Sequence, residues 1–96
     1  MPGHILGRTR EAIRNGEYDM TAHAFDEIAE DALHLVDVEA AILNGRLMKT
    51  ERDDLRGIRY TLHGTGADGS TLLGTVGRFT ETGRYLIITV YEVTER

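Results

Sequence analysis

The sequence predicts an α+β fold, with two to three N-terminal helices packed on one face of a three- or four-stranded antiparallel sheet. Helix-like apolar spacing with capping residues fills the chain up to Gly45. After Gly45 the pattern changes to strand-like alternation, broken by the turn dipeptides Asp68-Gly69 and Thr82-Gly83. With 96 residues and no linker, repeat or low-complexity segment, the expectation is one domain over 1–96.

The elements follow in order. The first helix is expected from about Ile5 to Asn15, with Ile5, Ala12 and Ile13 on one side and Asn15-Gly16 as the stop. Thr21 is the N-cap expected for a second helix, since its hydroxyl can satisfy an orphan N–H of the first turn. At about 100° per residue, Ala24, Phe25, Ile28, Ala32 and Leu35 share one side of that helix, and His23, Glu27, Glu30 and His34 cluster opposite. A short third helix is expected from near Asp37 to Asn44-Gly45, with Val38, Ala41 and Ile42 inward. A strand at Arg46 to Thr50 is expected next, followed by Ile58 to His63, where Ile58, Tyr60 and Leu62 alternate with polar residues. Leu72 to Phe79 and Tyr85 to Val93 complete the sheet. Leu86 to Val90 is apolar at every position but one, which suggests a central strand covered on both faces.

Composition narrows the function. Hydrophobic residues make up 41% of the chain and charged residues 28%, which is a globular rather than a disordered balance. There is no cysteine, which excludes disulfides and thiol chemistry. No apolar run reaches the ~20 residues of a membrane span, and Met1-Pro2-Gly3-His4 does not open a signal peptide, so the expected location is cytoplasmic, with no membrane partner. The net charge of −5 is unevenly spread. Nine acids from Asp26 to Asp54 face only Arg46, Lys49 and Arg52, whereas Leu55 to Arg96 holds five arginines against four acids. A nucleic-acid face is therefore expected on the sheet half rather than on the middle helices.

Three groups of residues could carry chemistry. Gly64 to Gly69 looks like a phosphate loop, but no Gly-Lys-Ser/Thr follows and it leads into a strand, so a hairpin loop is expected. His23 with Glu27, and Glu30 with His34, are spaced to meet on a helix surface; a solvated charged face is the ordinary outcome, and the order is not that of a zinc helix. The third group lies on the strands: Arg59 and His63, then Arg78, then Thr89 and Tyr91. RNA cleavage needs a base for the 2′-hydroxyl, cations for the phosphate and an acid for the leaving oxygen, and histidine, arginine and tyrosine can fill those roles without a metal.

The run Thr21-Ala22-His23-Ala24, with Glu27 and Asp31, resembles the opening of the bacterial domain-of-unknown-function family 4258. The resemblance continues through Asp37-Val38 to Asn44-Gly45, then Glu51, Asp54, Gly57, Arg59-Tyr60, Gly64 and Asp68-Gly69, and ends in Ile87-Ile88-Thr89-Val90-Tyr91-Glu92. It covers roughly Gly16 to Val93. That family is distantly similar to RelE/ParE-type and MqsR-like toxins, which implies a RelE-like arrangement. The implied activity is that of a toxin-like endoribonuclease of a toxin–antitoxin pair, cleaving RNA without metal or cofactor. It implies His23, Arg59 and Tyr91 as catalytic residues, Lys49, Arg78 and Thr89 as substrate-binding residues, and an antitoxin protein and RNA, not DNA, as partners. The alternative reading is a non-catalytic protein-interaction module on the same fold, which the acidic middle segment fits.

Overall fold

The computed structural model describes residues 4–53, 55 and 57–94; Met1, Pro2, Gly3, Asp54 and Arg96, which entered the sequence reading, lie outside them. The order is α1 (Ile5–Arg14), β1 (Tyr18–Met20), α2 (Ala22–Glu30), α3 (Leu35–Asn44), β2 (Arg46–Asp53), β3 (Gly57–Thr65), β4 (Leu72–Phe79) and β5 (Tyr85–Glu92). The fold is α+β, with three helices over one sheet.

The sheet departs from expectation in size and in kind. It has five strands in the order β1-β5-β4-β3-β2, and β1 runs parallel to β5 while the other neighbours are antiparallel. β1 is three residues long, too short to show a period, and its partner lies at the other end of the chain.

Local chemistry explains the helix boundaries. Thr21 caps α2, its hydroxyl oxygen accepting from Ala24 N at 3.1 Å and its hydroxyl donating to the Ile88 carbonyl at 2.9 Å. The helix stops at Glu30, and Ala32 turns the chain with φ of 56°. The expected apolar stripe is therefore cut: Ala24 and Ile28 are buried, while Phe25 is exposed and Leu35 opens the next helix. α3 begins two residues earlier than expected because Asp37 fixes its first turn. One Asp37 oxygen accepts from His34 N at 2.9 Å, and the other accepts from Ala67 N in the β3–β4 hairpin at 3.0 Å. At the far end of α3, the Asn44 amide pairs with both backbone groups of Thr65, each at 2.9 Å. Gly64 lets this helix lie directly on β3, since a methyl group there would sit 2.0 Å from the Ala41 carbonyl oxygen.

All three helices bury their apolar sides against the same face of the sheet. Ala12 and Ile13, Ala24 and Ile28, and Val38 and Ile42 meet Leu62, Tyr85, Ile87 and Val90 in one cluster. No helix among the described residues covers the other face. The expectation that β5 is covered on both sides is thus corrected: it is central, but its continuous apolar run has another cause. A bulge opposite Val76 and Gly77 inserts Ile88, so the buried positions step from Ile87 to Val90 instead of alternating.

Candidate functional site on the helix-free sheet face

Residues paired across neighbouring strands share a face, so the registers assign the helix-free side. One row runs Arg46, His63, Gly74, Tyr91 across β2, β3, β4 and β5. The next runs Lys49, Thr61, Val76, Thr89. Glu51 pairs with Arg59 beyond that, and Arg78 faces Leu86. Five of the six expected site residues, Arg59, Tyr91, Lys49, Arg78 and Thr89, therefore lie on one surface.

The charge on this surface opposes that of the whole chain. Arg46, Lys49, Arg59 and Arg78 are met, among the described strand side chains, by Glu51 and Asp19. Glu51 sits 3.2 Å from Lys49 Nζ and 3.5 Å from an Arg59 nitrogen. Asp19 is held by Arg84 at 2.8 Å, which lowers its carboxyl pKa, chiefly through the hydrogen bond. Arg46 and Arg78 have no acidic partner among the described residues. A buried Nε of Arg59 also has no partner among the described residues.

At the centre of the first row, His63 Nε2 and the Tyr91 hydroxyl lie 3.1 Å apart, with the rings edge to face at 83°. Gly74 makes this contact possible. The Tyr91 ring lies across it, and a methyl group on Gly74 would be 2.3 Å from the ring. Both side chains are half-buried, held in place yet open to solvent.

His23 is placed elsewhere. It stands at the start of α2, as expected, but its side chain is 67% exposed and lies 3.3 Å from Glu27. The other Glu27 oxygen accepts from Val90 N at 2.8 Å, closing the edge of β5 beyond the end of β1. The His23–Glu27 pair thus belongs to the helical layer and the sheet edge, not to the surface that carries Arg59 and Tyr91. The Glu30–His34 pair does not form on a helix, because α2 ends first and His34 precedes α3. Among the described residues, no three His, Asp or Glu side chains gather to hold a metal ion. No helix among them is long and apolar enough to cross a membrane.

The sequence profile described as "Domain of unknown function (DUF4258)" matches residues 20–92, from the end of β1 to the end of β5. The chain is a member of the DUF4258 family. No curated protein and no solved structure matches it. Within the DUF4258 segment, several residues that carry the resemblance are scaffold. Asp37 and Asn44 fasten the two ends of α3, Gly64 admits that helix to the sheet, and Asp68 builds the hairpin turn. The Asp68 carboxylate accepts from Thr71 Oγ1 at 2.5 Å and from the N–H groups of Thr71 and Ser70, which hold its pKa down to about 2. The expected hairpin therefore takes the place of a phosphate loop.

The sequence reading placed His63 among the strand residues but kept it out of the site, and it did not place Arg46 there. Register is the missing signal. Counting back from the Asp68-Gly69 turn puts His63 opposite Gly74, and Gly74 opposite Tyr91.

Proposed function

We propose that the helix-free sheet face is an RNA-binding surface and that the protein acts as a toxin-like endoribonuclease whose own side chains supply the proton transfers. The observation that carries this reading is the gathering of Arg46, Lys49, Arg59 and Arg78 around the His63–Tyr91 pair in a chain of net charge −5. Phosphate contacts supply most non-specific nucleic-acid affinity, and a face with an excess of positive charge attracts a polyanion that the net charge would repel. Thr61 and Thr89, half-buried between the cations, add hydroxyls that can bond to sugar or phosphate. A RelE-like disposition of helices over an antiparallel core of strands is part of this reading.

The test has two arms. Tightly controlled induction in a bacterial host is expected to arrest growth with loss of total RNA. In vitro, single-stranded RNA is expected to bind with strong salt dependence. Replacing Arg59 and Arg78 by Ala should flatten the slope of log K against log salt by about 1.4, at ~0.7 for each phosphate no longer neutralised. Normal growth, intact RNA and no salt-dependent RNA binding by the folded chain would overturn the reading.

A second reading, a non-catalytic protein-interaction module, is favoured by a different surface. Phe25, Leu35 and Val36 are exposed large apolar side chains. Phe25 and Leu35 line a cleft of about 450 Å³ with Met20, Tyr18 and Glu39 beside edge strand β1. The Tyr18 hydroxyl donates to Glu39 at its floor, and burial and that carboxylate raise the phenol pKa. A protein partner would dock there on either reading, on the first as an inhibitor that leaves the cationic face to RNA.

A further inference from the structure

We infer that His63 and Tyr91 form a proton relay that carries out the transesterification of RNA, with His63, not His23, as the general base. This rests on the ribonuclease reading and deepens it. His63 lies on the cationic face, whereas His23 lies in the helical layer with Glu27 as its partner. The groups facing His63 are Arg46 on β2 and Tyr91 on β5, and Gly74 between them on β4 has no side chain to intervene.

The roles follow from the tautomer. With the proton on Nε2, His63 donates to the Tyr91 oxygen at 3.1 Å and leaves the Nδ1 lone pair free. Nδ1 takes the proton of a ribose 2′-hydroxyl as the 2′-oxygen attacks the adjacent phosphorus. The bond from phosphorus to the 5′-oxygen breaks, leaving a 2′,3′-cyclic phosphate. Tyr91 gives its hydroxyl proton to the departing 5′-oxygen and recovers one from Nε2–H of the imidazolium. The proton on Nδ1 then shifts through solvent to restore the starting tautomer. One proton moves from the 2′-oxygen to the 5′-oxygen, with no co-reactant and no change of oxidation state. Arg46, paired with His63 across β2–β3, is placed to stabilise the charge on the phosphate.

Gly74 is the positioning residue. It seats the Tyr91 ring, and any Cβ at this position would lift the phenol away from His63. The substrate class is RNA with a free 2′-hydroxyl. RNA carrying a single 2′-deoxy substitution at the cleaved position binds but is not cut.

The experiment uses the purified full chain and a single-stranded RNA oligonucleotide, with the pH–rate profile and the chemistry of the product ends as readouts. The parent should yield 2′,3′-cyclic phosphate ends. His63→Gln should lower the rate about 10²- to 10⁴-fold and remove the acidic limb of the profile. Tyr91→Phe, which keeps the ring on Gly74, should lower the rate at least 10-fold while RNA binding persists. His23→Ala should change the rate less than 3-fold. If the parent cleaves and His63→Gln retains both rate and profile, the relay is overturned and the ribonuclease reading stands. If the folded parent cleaves no RNA, both fall together. A parent whose activity is lost in His23→Ala and kept in Tyr91→Phe would return the catalytic role to the helix.

Discussion

β4 carries two glycines three residues apart, and a tyrosine from β5 lies across each. On the helix-covered face the Tyr85 ring rests on Gly77, where a methyl group would come within 2.6 Å of the ring. On the open face the Tyr91 ring rests on Gly74 in the same way. The backbone device is shared, but the surroundings differ. Tyr85 is fully buried against Phe79, with ring centroids 5.1 Å apart, and its hydroxyl has no partner among the described residues. Burial pushes the Tyr85 phenol pKa upward. Tyr91 is half-buried and its hydroxyl meets His63. A ring over a glycine becomes core packing where helices cover it. Where solvent and cations surround it, the same ring stays half-open, with its hydroxyl against His63.

Substitutions on the two faces separate these roles. The largest expected effect is on the covered side: Tyr85→Ala should cost about 3–5 kcal/mol of unfolding free energy, measured by urea denaturation, because it empties the centre of the core. Gly77→Ala should cost about 3 kcal/mol, since the ring it displaces has nowhere to go. Gly74→Ala should cost about 1 kcal/mol, because the Tyr91 ring can swing toward solvent; its main signature is a weakened through-space signal between the His63 and Tyr91 rings in NMR spectra. Equal losses at the two glycines would break the comparison.

Removing single hydroxyls sharpens the contrast further. Tyr85→Phe should raise the urea midpoint by an amount equivalent to about 1 kcal/mol, since it deletes a buried donor without an acceptor. Tyr91→Phe should change stability by less than about 0.5 kcal/mol, because its hydroxyl is within reach of water. The smallest expected effect lies outside both faces, in the β3–β4 turn. The Asp68 carboxyl is held at about 2, below its ordinary value of 3.8. Its contribution is therefore fully present above about pH 4 and is lost as pH falls through 2. Asp68→Asn should remove that part of the acid dependence, read as a flatter melting temperature between pH 4 and 2.

Most of the element order was legible in the sequence, since caps and turns are written in adjacent residues. Thr21 caps α2 as expected, and β4 spans Leu72–Phe79 as expected. β1 was not legible, because three residues carry no period and its pairing is with a distant strand. The α2 stripe was read too far, because spacing alone continues through Ala32 while the backbone turns there. The site was legible in residue type but not in assembly. Arg59, Arg78, Lys49, Thr89 and Tyr91 do share a face, whereas His23 was expected with them and is held at the β5 edge by Glu27.

The sequence by itself determined the starts of α1 and α2, the hairpin turns and the concentration of arginine in the sheet half, because each depends on near neighbours in the chain. Tertiary structure alone decided which histidine meets a tyrosine. That outcome depends on strand register, on a bulge at Ile88 that shifts β5 by one residue, and on all three helices covering the same face. Those are long-range choices, fixed by where the core closes and not by any local run of residues.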